Sequence, residues 1–350
     1  MFGLTRGKTS RLISVWSGFT PDHVVGLAWT SDSRTLAAAA GTGPVTWFAA
    51  ATGGVRGEVR AHKIGTTAIV FQPGSELLAT AGMDGFARLW HPQTDVPVAE
   101  LDGGGADWVE RLAWRADGSR LAIAAGRKVR VWDARGGHRA DLNDHPSTVS
   151  DLAWQPGSNT LTALVYGGVV LWTLSDDGPP TCRQFTWKGS PLRMAWSPNG
   201  RMLAHGNQDA TVHFWYAETG EDLQMWGYPM KVQELSWDHS SRFLATGGGH
   251  MVCIWDCGGN GPQNTEPQML EGHSPSTRLA TVQYQRGGRL LASAGADGRV
   301  CVWHPSDKKQ PLVGAADTTG EAATCAVWSP DDKFLGVGFE SGRVSVFRIG

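Results

Sequence analysis

Short apolar segments recur along the chain, and each is closed by an aromatic residue. They read GLAW to Trp29, AIVF to Phe71, RLAW to Trp114, DLAW to Trp154, RMAW to Trp196, ELSW to Trp237, TVQY to Tyr284 and AVW to Trp328. A second series closes segments in which apolar and polar residues alternate: Trp47, Trp90, Trp132, Trp172, Trp215, Trp255, Trp303 and Phe347. Each series has eight members, spaced 40 to 48 residues apart. A strict alternation is the mark of a strand with two unlike faces. A period near 40–45 with four strands per unit is what a propeller blade requires.

Residues 109–132 display one unit. VERLAW is a strand ending in an aromatic, RADGSR a turn, LAIAA a strand of small residues, GRK a second turn, and VRVW an alternating strand. DARGG then leads into a weaker fourth strand around HRADL. Turns of this kind use residues that tolerate tight backbone geometry. Small residues in the second strand allow neighbouring units to approach, and large aromatics fill the wedge between them. That accounts for 17 tryptophans and 46 glycines.

The units run at about 23–60, 61–101, 108–142, 148–186, 190–225, 231–270, 277–313 and 322–350. The last has no fourth strand of its own, whereas RLISVW at 11–16 precedes the first unit and ends like other fourth strands. The expectation is therefore a single all-β domain. It is an eight-bladed ring of four-stranded antiparallel blades, closed by residues 11–16, with no open strand edge to invite aggregation. Trp16, Trp187 and Trp226 end fourth strands and are expected to pack between blades. GGNGPQNTEP at 258–267 is an insertion that lengthens one spacing.

Composition narrows the function. Lys plus Arg number 31 against 33 Asp plus Glu, a net charge of −2, which argues against nucleic acid as a partner. No apolar run is long enough to span a membrane, and the first residues lack the apolar core of a signal peptide. Five cysteines at irregular spacing do not form a disulfide framework. The expectation is a monomeric protein of the cytoplasm, without cofactor. His250, Cys253 and Cys257 have a spacing reminiscent of zinc ligands, but alternation places Cys253 on the face of Trp255, and Cys301 stands likewise before Trp303. Both read as packed thiols, and no metal site is expected.

The repeat resembles the WD-repeat family of β-propellers along essentially the whole chain. In that family a Gly-His or similar pair opens the unit and Trp-Asp closes its third strand. Here Gly272-His273, Ala61-His62 and Asp144-His145 stand at openings, and only Trp132-Asp133 and Trp255-Asp256 keep the acid. The resemblance implies hydrogen-bonded sets of His, Ser/Thr, Asp and Trp in two units. These are His62, Thr80, Asp84 and Trp90, and His273, Ser293, Asp297 and Trp303. Their recurrence marks structural locks rather than one catalytic triad, and no enzyme activity is expected.

The resemblance also implies a scaffold that binds a peptide or protein on one propeller face. The family's contact positions fall here on Trp108, Met83, Glu110, Arg127, Lys128, Lys231, Gln233 and Arg278, among smaller residues. Trp108 belongs to neither aromatic series, so an anchor of Trp108 and Met83, rimmed by Glu110, Arg127 and Lys128, is the expected site. The competing reading of Trp108 is a cap on the GGGAD loop at 103–107. The competing reading of function is a small-molecule or metal site in the central channel, with or without catalysis.

Overall fold

The structure, a computed structural model, describes residues 12–350 apart from 93, 106, 107, 144, 260 and 319. Residue 11 of the expected closing strand, Asp144 of one opening pair, and residues 106–107 beside Trp108 lie outside the described residues, as does the chain start.

Eight four-stranded antiparallel sheets make up the described chain. The innermost strands are Val24–Trp29, Thr66–Phe71, Val109–Trp114, Asp151–Trp154, Pro191–Trp196, Leu235–Trp237, Leu279–Tyr284 and Ala323–Trp328. Each packs against the innermost strands of the blades on either side, and the eighth packs against the first, so the ring is closed. Blades are numbered in that order. Blade 8 takes its outermost strand from the N-terminal side: Leu12–Phe19 pairs antiparallel with Arg343–Ile349. A register shift between Ser14 and Trp16 turns Trp16 inward. There its indole donates to the Ala50 carbonyl at 2.7 Å and its ring lies 5.4 Å from Phe48. Leu12 is buried with the apolar residues between blades 7 and 8.

Second strands are rich in Ala and Gly because the next blade leaves no room for more. Thr35–Ala40, with sequence TLAAAA, is wholly buried. A Cβ on Gly338 would come within 2.5 Å of Val24 in blade 1. The first aromatic series crosses between blades. The indole N–H of Trp154 donates to Ala113 O, that of Trp237 to Ala195 O and that of Trp328 to Gln283 O, each at 3.0 Å. Each acceptor is the residue just before the landmark aromatic of the preceding blade. The bond therefore fixes how far one inner strand slides against the next.

Two expectations need correction. In blade 1 the residue opposite Leu36 is Phe48, as Trp90 is opposite Leu78 and Trp132 opposite Leu121. Phe48, not Trp47, thus holds the second-series position. Trp47 points the other way, into the core with Phe71 and Trp90. Trp226 does not pack between blades. It is 74% exposed, because the outermost strand of blade 5 ends at Met225 and the chain then runs irregularly to Leu235. Trp16 and Trp187 do pack as expected, Trp187 against His205 and His213.

Candidate interaction face and central channel

The two hydrogen-bonded sets are assembled as the family resemblance implied. His62 lies 2.9 Å from Asp84 through Nδ1 and 2.9 Å from Thr80 Oγ1 through Nε2, and the Trp90 indole donates to the same hydroxyl at 3.0 Å. In blade 7 the distances are 3.2 Å from His273 to Asp297, 2.8 Å to Ser293, and 2.9 Å from Trp303 to Ser293. At His273 the carboxylate only accepts, so Nδ1 carries the proton, and the Ser293 hydroxyl donates to Nε2 while accepting from the indole; at His62, Nδ1 faces both the Asp84 carboxylate and, at 2.6 Å, the Arg88 guanidinium. Each imidazole is buried, and burial holds its pKa below the usual histidine range. Arg88 joins the first set, 2.7 Å from both Asp84 and Glu100. Such a set joins the blade opening to the second and third strands and the turn between them, a structural duty.

Elsewhere the set is rebuilt or lost, and the Trp-Asp pair does not track it. Blade 3 keeps Trp132-Asp133, but Ile123 stands where Thr80 stands in blade 2, and the buried Trp132 indole nitrogen has no partner among the described residues. Asp133 accepts instead from the backbone of Arg135 and Gly137. In blade 4, His145 accepts the Trp172 indole directly at 3.1 Å. In blade 6, Tyr228 takes the histidine's place, 2.8 Å from both Thr246 and the Trp255 indole. In blade 5, His205 stands at the Thr80 position and accepts from the Trp215 indole at 3.1 Å. Cys253 and Cys301 are buried in the same cores as Trp255 and Trp303 respectively.

The face that carries the connections into each innermost strand, and the turns between second and third strands, holds the residues assigned to binding. Trp108 immediately precedes Val109–Trp114 and is 50% exposed. The connection before it crosses the turn that holds Met83, with Gly103 N donating to Gly85 O at 2.9 Å, while Met83 itself bonds to the connection entering its own blade, its N donating to Gly65 O at 3.0 Å. Two of the rim cations are engaged: Lys128 Nζ donates to Gly104 O, and Arg127 Nε to His145 O at 2.8 Å. Glu110 is half-buried beside them. Lys231, Gln233 and Arg278 lie on blades 6 and 7, away from Trp108. Gln233 and Arg278 line a cavity of about 490 Å³ in the channel mouth.

The exposed aromatics have a distribution the sequence reading did not anticipate. Phe19, Trp108, Tyr166 and Trp226 are the exposed aromatic side chains among the described residues. Phe19 ends an outermost strand, Trp226 directly follows one, Tyr166 sits in a turn between second and third strands, and Trp108 precedes an innermost strand. All four lie on the same face. The exposed Ile13, Val55, Val96, Val98 and Met269 belong instead to outermost strands and the connections that enter them.

The channel wall also carries charge that went unnoticed. Pairing within the blades aligns Gly26, Ala68, Arg111, Asp151, Arg193, Glu234, Thr281 and Cys325 at one level, each three residues before its landmark aromatic. Seven of them are the first letters of the motifs that count the repeat, and Cys325 directly precedes the eighth, AVW. Blades 3 to 6 thus present Arg, Asp, Arg and Glu in succession. Asp151 is 3.7 Å from Arg111 and 3.5 Å from Arg193, and its other oxygen accepts from Met194 N at 2.9 Å. Burial, with the nearby Arg193 charge, lowers the Arg111 pKa. Burial raises that of Glu234.

Fold and wall together define a closed eight-bladed β-propeller. The chain belongs to the WD-repeat family: the family described as WD domain, G-beta repeat matches residues 53–91, 95–133, 182–216, 224–256 and 264–304, more than half of the chain. Among curated relatives it is 22% identical over 344 residues to Protein HIR1 of Kluyveromyces lactis, covering 75% of this chain and 39% of that protein. It is 23% identical over 344 residues to Cell division cycle 20.1, cofactor of APC complex, of Arabidopsis thaliana, covering 94% and 63%. To THO complex subunit 3 of the same plant it is 25% identical over 229 residues, covering 61% and 70%. The chain thus spans well under half of HIR1 and somewhat less than two thirds of the cell-division protein. Among solved structures it resembles the computationally designed Ika8 protein with a TM-score of 0.80 and 20% identity, covering 97% of this chain and all of that one.

Proposed function

We propose that the protein is a non-enzymatic, monomeric scaffold that binds a peptide or another protein on the face bearing Phe19, Trp108, Tyr166 and Trp226. The observation that carries this reading is the confinement of the exposed aromatics to that face. Solvent-exposed Trp and Tyr are costly surface choices and are enriched where partners bury them. Trp108, with Met83 beneath the adjoining connection, is the anchor, and Glu110, Arg127 and Lys128 form its polar rim. Lys231, Gln233 and Arg278 extend the contact across the channel mouth. Membership of the family supports the reading, as do relatives whose names make them a cofactor or subunit of a complex. The five unpaired cysteines suit a reducing compartment such as the cytoplasm. The near-balanced charge makes nucleic acid a poor partner.

The test is affinity purification from the native host with wild type, Trp108→Ala, Tyr166→Ala and, as a rim control, Val55→Ser. The thermal transition of each is checked first. A protein retained by wild type and Val55→Ser but lost from the face variants supports the scaffold. Recovery of every partner unchanged by the face substitutions refutes it.

A further inference from the structure

The channel cavity is a second site with chemistry of its own. Its wall is polar, and two arginines face it from blades 5 and 7. Arg193 makes no hydrogen bond among the described residues, and its ion partner Asp151 is 3.5 Å away and shared with Arg111. Arg278 is exposed into the cavity and has no carboxylate within ion-pair distance among the described residues. A guanidinium with unspent N–H donors is suited to a planar carboxylate, which it grips through two parallel bonds.

Glu234 stands on the intervening blade. One of its oxygens accepts from the backbone of Gln233 and Gly248, both at 3.3 Å, and a Cβ on Gly247 would crowd that oxygen at 2.6 Å. The side chain is therefore held in place with its carboxyl on the cavity wall. Glu340 faces the same space from blade 8. A dianion such as phosphate would meet two carboxylates there, and a bare cation would meet two arginines. A ligand carrying one charge of each sign satisfies both. The volume, about 490 Å³, is in the range that holds small molecules. Thr281 lines the cavity at the same level as Arg193 and Glu234, and the level continues round the ring through the uncharged Cys325, Gly26 and Ala68.

We propose that the channel mouth binds a small zwitterion of the α-amino acid class, its carboxylate between Arg193 and Arg278 and its ammonium against Glu234. This site is separate from the Trp108 anchor, although Gln233 and Arg278 line it and also lie in the contact proposed for the scaffold, so Trp108→Ala distinguishes the two readings.

Calorimetric titration of the full chain with each protein amino acid in turn, up to about 10 mM, tests it. At least one is expected to give saturable heat. Its N-acetyl form, lacking the cation, and its amide, lacking the carboxylate, are both expected to bind about tenfold more weakly or worse. Arg193→Gln, Arg278→Gln and Glu234→Gln should each weaken binding by a similar factor, and Trp108→Ala should not. Should an arginine variant fail to show a native thermal transition, Thr281→Gln, which adds bulk to the cavity wall without changing its charge, must abolish the heat. The proposal is overturned if no amino acid binds, if blocking either charged group leaves affinity unchanged, if acetate or inorganic phosphate binds as tightly, or if folded variants bind like wild type.

Discussion

Trp29 and Val327 stand on opposite sides of the ring seam, and the Trp29 indole N–H donates to the Val327 carbonyl at 3.0 Å. The two residues are 298 positions apart in sequence. The bond is the same one that joins blades 3 to 4, 5 to 6 and 7 to 8 through Trp154, Trp237 and Trp328. The seam is therefore built like three other joints of the ring.

That repetition allows one substitution to be read in two settings. Trp29→Phe keeps an aromatic ring but leaves the Val327 carbonyl without its donor. Trp114→Phe makes the same change in volume, yet among the described residues the buried Trp114 indole nitrogen has no partner to lose. An unmade bond in a buried setting costs about 1–3 kcal/mol. Trp29→Phe is thus expected to destabilise by about 1 kcal/mol more than Trp114→Phe in urea denaturation. Equal losses would show that the recurrent bond contributes nothing.

The seam is closed on its outer side by Trp16, which is buried against Phe48 and bonded to Ala50. Trp16→Ala is expected to cost about 3–5 kcal/mol, the range for truncating a buried aromatic. It should also loosen Leu12–Phe19 from Arg343–Ile349 and uncover a strand edge. Light scattering during mild heating should then show association well before wild type associates. A variant that stays monomeric, with an unchanged midpoint, would mean the closing strand is dispensable.

Much of this was legible in the sequence because the aromatic landmarks serve packing, and packing repeats with the blade. Blade number and closure by the N-terminal strand follow from spacing and residue type, and the resemblance to the WD-repeat family supplies both His-Ser/Thr-Asp-Trp sets. What escaped has physical reasons. Trp47 and Phe48 are adjacent aromatics, and only the cross-strand partner Leu36 decides which holds the repeating position. Trp226 looked like a packed end residue, but no strand extends beneath it to hold it against a blade. The charged arc of Arg111, Asp151, Arg193 and Glu234 was present in RLAW, DLAW, RMAW and ELSW. It shows only when the innermost strands are set side by side around a channel.

The hydroxyl at the centre of each lock offers a third test. Thr80→Val and Ser293→Ala remove the group that both the histidine and the indole use. Each leaves two buried polar atoms unpaired, an expected loss of about 2–4 kcal/mol. Ile123→Thr does the reverse in blade 3, placing a hydroxyl where the Trp132 indole lacks a partner. The gained bond should offset most of the lost apolar burial, so its midpoint should lie within about 1 kcal/mol of wild type. Denaturation curves that rank Ile123→Thr as the most damaging of the three would refute the assignment of these sets.

Acid should strike blade 5 before the rest. His205 accepts the Trp215 indole through Nε2, so its proton is on Nδ1, facing Asn207 Oδ1 at 2.8 Å. A second proton on Nε2 would point at the indole N–H. His213 stacks on the same ring, with centroids 5.3 Å apart. Burial first, and the neighbouring His213 second, push the His205 pKa from 6.5 down to about 3. Burial likewise lowers that of His213, against the opposing pull of Asp222. Below pH 6.5 the unfolded chain therefore takes up protons that the folded chain refuses. Stability is complete above that pH, declines as pH falls towards 3, and does so by up to about 1.4 kcal/mol per pH unit for each fully refused proton. The melting temperature of wild type is expected to drop steeply between pH 7 and 5. In His205→Gln, which retains an acceptor for Trp215 but has no proton to refuse, the slope over that interval should be visibly shallower, whatever the substitution costs at pH 7. Parallel slopes would mean that other groups govern the acid response.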